Sequence, residues 1–315
     1  MNIKRWIERR ETSWRTLEQR LAQVEKQGLR RLSSAQVKEL ASLYRSVSAD
    51  LARARSVQVG PTLISDLQTL TTRAYSQIYQ GAKREDWRNL VTFYRRGLPA
   101  ALRAAGGYIA LATAIFLAGA VIGWWFSWQD PRFLRLLVPE SLISLVQDEG
   151  QLWMGSILGT EPMASSTIMV NNITVAFKTV AGGMTLGLLT VYILFFNGLL
   201  IGAIATLVGQ NNLAIPFWAF VFPHGSLELP AIFIAGGAGL LLARGLLLPG
   251  RYGRRDALRL RGLQAAQLVY GLFPMLVMAG IIEGFLSPSP IVPDFLKYLI
   301  GTALLGGLFT YCRNQ

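Results

Sequence analysis

The residues best suited to chemistry in this 315-residue chain fall in one short segment, Phe222-Pro223-His224-Gly225-Ser226-Leu227-Glu228-Leu229-Pro230. His224 is the only histidine, and Glu228 follows four residues later. An imidazole and a carboxylate at that spacing could ligate one metal ion, although a catalytic zinc site ordinarily takes three protein ligands. Glu283 offers a second carboxylate that could work with Glu228 as an acid–base pair. No nucleophile accompanies them, and no H-E-x-x-H, G-x-S-x-G or phosphate-binding loop occurs. We therefore expect neither an enzyme nor a cofactor. The local pattern predicts that Ser226 caps a helix, with Glu228 in its first turn, where the helix dipole favours a carboxylate.

The elements that must position these residues follow from an uneven composition. Hydrophobic residues make up 52% of the chain and charged residues 16%, against about 25% in ordinary soluble proteins. Residues 1–104 hold twenty Lys or Arg against nine Asp or Glu, whereas 179–243 hold a single acid, Glu228, and no Lys or Arg. The reading is an all-α, polytopic helical membrane protein: a basic cytoplasmic helical domain over 1–104 and a transmembrane domain over 105–315. The net charge of +13 fits this, because excess Lys and Arg mark the cytoplasmic side and attract anionic lipid. With no nucleic-acid motif present, the bilayer is the expected partner and nucleic acid is not. Cys312 is the only cysteine, which excludes an intramolecular disulfide and a multi-cysteine metal site. Met1 to Arg10 is rich in charge and does not resemble a cleavable signal peptide.

In the basic domain, Ser33 and Gln36 have the spacing of a capping box. Val37, Leu40, Tyr44, Val47 and Leu51 then form a helical stripe that Gly60-Pro61 ends. A second stripe runs through Leu63, Leu67, Leu70, Ala74 and Ile78. With Trp6, Trp14, Leu17 and Leu21 from a first helix, these make a small antiparallel bundle. About six spans are expected, near 107–127, 173–195, 197–212, 226–247, 264–286 and 295–312, with both termini inside. Trp124, Trp125 and Trp128 suit an interfacial belt after the first span. The stretch 129–170 carries five acids against Arg132 and Arg135 and reads as an outside loop with a short interfacial helix near 132–147. The second and third spans turn at Asn197-Gly198, and 213–223 completes the short third crossing or re-enters. Arg244, Arg251, Arg254, Arg255, Arg259 and Arg261, six arginines against Asp256, mark a cytoplasmic loop before the fifth span. Glycines such as Gly182, Gly183, Gly187, Gly202 and Gly236 permit close helix packing, within the chain or in a homodimer.

This topology puts Asn171, Asn172, Lys178, His224, Glu228 and Glu283 in the outer half of the membrane. Ionisable residues cost roughly 2.5–3.5 kcal/mol each at a helix centre, so a shared polar cluster is expected. The residues that would build it also carry a resemblance. Asn171-Asn172-Ile173, Val175-Ala176-Phe177, Gly182-Gly183, Asn197-Gly198, Pro223-His224-Gly225-x-x-Glu228-Leu229-Pro230 and Glu283-Gly284-Phe285-Leu286-Ser287-Pro288 resemble the stage II sporulation protein M family. Leu43-Tyr44-Arg45, Asp50-Leu51 and Ala54-Arg55 are similar to the soluble helices of its longer bacterial members. The resemblance covers nearly the whole chain, and its motif positions are Asn171, Asn172, Asn197, Gly198, His224, Gly225, Glu228 and Glu283. It implies a protein of the prokaryotic cytoplasmic (inner) membrane. From the namesake, which holds peptidoglycan-degrading partners during engulfment, it implies a scaffold or assembly factor for envelope remodelling with membrane or envelope protein partners. The long N-terminal domain departs from the short namesake and argues against a literal sporulation role. The residues themselves leave a second reading, a transporter or ion-conducting protein using the His/Glu/Asn/Lys cluster.

Overall fold

The computed structural model describes residues 3–28, 31–154 and 161–313, and no strand occurs among them. The chain divides into two compact units, Met1–Phe93 and Tyr94–Gln315, so residues 94–104 belong with the second.

In the first unit, α1 (Ile3–Gln27), α2 (Ser34–Val57) and α3 (Pro61–Thr92) surround one apolar core. Trp14, Leu17, Leu21 and Val24 recur every three or four residues on α1, which buries one face and leaves the other to its charges. The capping box is present: Gln36 N donates to Ser33 Oγ at 3.3 Å, and Ser33 N donates to Gln36 Oε1 at 2.8 Å. Gly60 turns the chain with φ +123°, and Pro61 opens α3, where its missing N–H costs nothing. Asp50 is buried but paired, accepting from Arg10 Nε at 2.8 Å and Trp14 Nε1 at 2.9 Å. Arg73 ties α3 to α1 with bonds of 3.1 and 2.9 Å to Glu25, and these bonds hold the Glu25 carboxyl below its usual range.

The second unit contains α4 (Leu98–Ala104), α5 (Gly106–Gln129), α6 (Pro131–Leu137), α7 (Glu140–Gln147), α8 (Glu161–Ala181), α9 (Leu188–Gln210), α10 (Ala214–Leu247), α11 (Arg254–Ile281) and α12 (Asp294–Arg313). Five of the described helices are long and apolar enough to cross a membrane: α5, α9, α10, α11 with its continuation to Leu286, and α12. The most buried of them, α10, packs against α5, α8, α9, α11 and α12. The tightest crossing joins α5 to α9. A Cβ on Gly119 or Gly123 would lie 2.2 Å from Phe195 O or Leu199 O. A Cβ on Gly198 or Gly202 would lie 2.1 Å from Phe116 O or Ala120 O. Only glycine lets the two backbones touch in this way.

The middle of the chain differs from the sequence expectation. Asn197-Gly198 is no turn; both residues lie within α9, with Asn197 Nδ2 donating to Ile193 O at 2.8 Å and Gly198 pressed on α5. The break comes earlier, at Gly182–Thr185 and two positive-φ residues, Leu186 (57°) and Gly187 (87°). Helix α10 starts at Ala214 rather than 226, so 213–223 is neither the end of a crossing nor a re-entrant piece. Ser226 caps nothing; its hydroxyl donates to Pro223 O at 2.8 Å inside the helix, and Glu228 is far from any first turn. Arg254, Arg255, Arg259 and Arg261 form the opening turns of α11 rather than a loop. The interfacial helix near 132–147 is two, α6 and α7, parted at Val138-Pro139. Residues 155–160 of the expected outside loop lie outside the described residues. Of the six expected spans, the remaining candidate is α8, whose Asn171, Asn172 and Lys178 keep it below the apolarity of the other five.

Two outcomes follow. Gly123→Ala or Gly198→Ala should cost at least about 1–3 kcal/mol by overpacking, read as a lower melting temperature in detergent. Gly209→Ala, where a Cβ meets nothing within 4 Å, should be neutral or stabilising by up to ~1 kcal/mol. In the first unit, a lowered Glu25 pKa adds stability above the unfolded carboxyl value near ~4.3. That stability is lost as pH falls through the lower folded value. Because both side chains of the pair are more than a third exposed (36% and 35%), it is worth well under ~1 kcal/mol. Hydrogen exchange in α1 and α3, corrected for intrinsic rates, should accelerate modestly in that acid window, and Glu25→Gln should flatten the response.

Candidate functional site

Four residues make roughly one helical turn, so the continuity of α10 puts His224 and Glu228 on one face. Helix α11 runs into a π-helical turn, Ile282–Leu286, closed by Ser287 N donating to Ile282 O at 2.9 Å. That turn carries Glu283. The antiparallel packing of α11 on α10 then completes a cluster: one ligand atom each from His224, Glu228 and Glu283 all lie within 4.8 Å of one another.

His224 Nε2 is 3.8 Å from Glu283 Oε1, beyond hydrogen-bond length. Its Nδ1 is 3.1 Å from Ser287 Oγ, a contact buried from solvent. The Phe220 ring stands edge-on to the imidazole at 5.4 Å between centroids, which fixes the ring plane. The Glu283 side chain is 12% exposed, and its Oε2 is buried without a hydrogen-bond partner among the described residues. Helix α8 closes this side. Gly284 has no side chain to obstruct Ser165, Gly280 likewise admits Met169, and Ser165 Oγ donates to Gly280 O at 2.7 Å.

The three groups line a cavity of about 560 Å³ walled by α5, α8, α9 and α10. Its other walls are largely apolar, including Phe116, Val121, Trp124, Ile201, Phe217 and Trp218. Asn172 adds one amide from α8, and no Lys or Arg is among the lining residues. The arrangement can share a proton or hold a cation between two carboxylates and an imidazole.

The remaining expected positions separate. Gly225 lines the cavity, with only Val221 near a would-be Cβ. Asn171 is exposed, its Nδ2 3.4 Å from Asn172 Oδ1. Lys178 is exposed on α8 and does not line the cavity. Asn197 and Gly198 serve the interior and packing of α9 rather than the cluster. The sequence reading quoted Gly284 and Ser287 only as part of the resemblance and gave neither a place at the site, and it missed Ser165 and Gly280. Ser287 had a signal, since it follows Glu283 by the same four residues that separate His224 from Glu228.

A bundle with five membrane-length apolar helices around a buried imidazole–dicarboxylate cluster is a polytopic membrane protein. More narrowly, the family model for Stage II sporulation protein M matches residues 112–288, over half of the chain, and the chain belongs to that family. The match contains the whole cluster. A model for a domain of unknown function matches residues 4–80, within the first unit. Over 74 residues the chain is 35% identical to the uncharacterized protein MJ0793 of Methanocaldococcus jannaschii, covering 23% of this chain and 42% of that protein. No solved structure matches.

Proposed function

We propose that this chain is a non-enzymatic scaffold or assembly factor of the prokaryotic cytoplasmic membrane, working in cell-envelope remodelling with membrane or envelope protein partners. The observation that carries the reading is the framework itself. Helices locked by backbone-to-backbone glycine contacts support a fixed platform, and the largely apolar cavity gives no support to a hydrated path through the bundle. Membership of the stage II sporulation protein M family agrees with it. The basic first unit supplies a docking surface beside the membrane.

In this reading α8 is a sixth crossing and both termini are cytoplasmic. Charge and parity support it. With the basic N-terminal unit inside, five crossings without α8 would leave Arg254, Arg255, Arg259 and Arg261 outside, against the positive-inside rule. Counting α8 returns them to the cytoplasm and makes residues 130–154 external.

The native Cys312, near the end of α12, tests the topology. A membrane-impermeant maleimide should leave it unlabelled in intact cells and label it after permeabilisation. In a Cys312→Ser background, Ser141→Cys on α7 should label from outside. Labelling of Cys312 in intact cells would overturn the six-span arrangement. For the scaffold itself, capture of the full chain from native membranes in mild detergent should recover envelope or membrane proteins. A chain isolated without any, which moves a solute or ion across liposomes and loses that flux on Glu228→Gln, would establish a transporter instead.

A further inference from the structure

We propose that His224, Glu228 and Glu283 together bind one divalent transition-metal ion of the zinc, manganese or iron(II) class, bridging α10 to the turn after α11. The site stands on its own geometry and holds whether or not the chain is a scaffold.

Charge supplies the first argument. Two carboxylates face one another in a cavity that no Lys or Arg lines, with His224 as the only base among the lining residues. Like charges at that range in an apolar surrounding are strongly unfavourable without a counter-charge. A divalent cation brings the two carboxylates and a neutral imidazole to zero net charge.

Geometry supplies the second. The 3.8 Å between His224 Nε2 and Glu283 Oε1 is too long for a hydrogen bond. It is close to the ~3.4 Å that separates two ligands bound at ~2.1 Å to a tetrahedral centre. Small rotations of the Glu228 and Glu283 side chains would bring the whole set, now within 4.8 Å, to that spacing. Among the described residues Glu283 Oε2 is buried with no hydrogen-bond partner, a state that native interiors seldom hold. Ser287 Oγ sits where it can accept a hydrogen bond from His224 Nδ1–H, which directs Nε2 to the ion and fixes the tautomer, as partners of ligating histidines ordinarily do. The π-helical turn that carries Glu283 is a form often found at functional sites. One imidazole and two carboxylates suit zinc, manganese or iron(II) and disfavour thiophilic copper(I). Three protein ligands leave the remaining coordination open to the cavity.

The test uses the full chain, free of any affinity tag, in lipid nanodiscs after chelator stripping. Dialysis against Zn²⁺ and, separately, Mn²⁺ should load one ion per chain and raise the melting temperature. His224→Ala, Glu228→Gln and Glu283→Gln should each weaken binding at least tenfold, and Ser287→Ala about 10–100-fold. Glu140→Gln on α7 should leave binding unchanged. Pulsed electron paramagnetic resonance of the Mn²⁺-loaded wild type should show coupling to an imidazole nitrogen, a readout that does not require any variant to fold. Substoichiometric loading, wild-type affinity in the three ligand variants, or a Mn²⁺ spectrum without nitrogen coupling would each overturn the proposal.

Discussion

The continuity of α10 through Pro223 and Pro230 is the constraint on which the second unit depends. Each proline removes a backbone donor and crowds the preceding turn, a combination that costs about 3 kcal/mol in an ordinary helix interior. In water such a segment would break and let solvent satisfy the freed carbonyls. Within a membrane bundle a break would leave several backbone groups unsatisfied instead of one at each proline. Neighbours on many sides, α5, α8, α9, α11 and α12, hold the helix in line. Because it does not break, His224 and Glu228 share a face and look into the bundle rather than marking a helix start at the interface.

This is also where the sequence could and could not be read. In the first unit the local rules held: the Ser33/Gln36 box, the Gly60-Pro61 break and the stripe through Leu40 and Val47 all appear where their spacing puts them. The apolar helices at Gly106–Gln129, Arg254–Leu286 and Asp294–Arg313 were legible from composition alone. The misread turn in α9 and the misread cap in α10 share one cause. Asn-Gly and a Ser after Pro-His-Gly are turn and cap chemistry in water, where those side chains compete with the backbone. In α9 and α10 the same side chains bond back within their own helix, and Gly198, lacking a Cβ, lets the α5 backbone come into contact.

The candidate site shows a second limit, between depth and direction. Span assignment ordered the polar residues along the membrane normal well enough to group His224, Glu228 and Glu283. It had no access to where each points around its helix. Lys178 lies six residues beyond Asn172, which on a helix is roughly 240° around the axis. Asn172 therefore lines the cavity while Lys178 is carried to an exposed face. Lys178 also lies about 9 Å further along the axis, in the last turn of α8, so it is separated from the cluster both around and along the helix, and the cluster is more strongly acidic than the residue list suggested.

The α5–α9 crossing has its own meaning at the level of the gene. Any single-base change in the first or second position of a glycine codon yields a stop or a residue with a Cβ. At Gly119, Gly123, Gly198 and Gly202 that added carbon would meet a backbone oxygen, which cannot move aside as a side chain can. Codons at Gly209, Gly306 and Gly307 face open space and carry no such restriction. Drift at the four crossing positions is thereby confined to the third base, so this one crossing places eight nucleotides under a steric constraint.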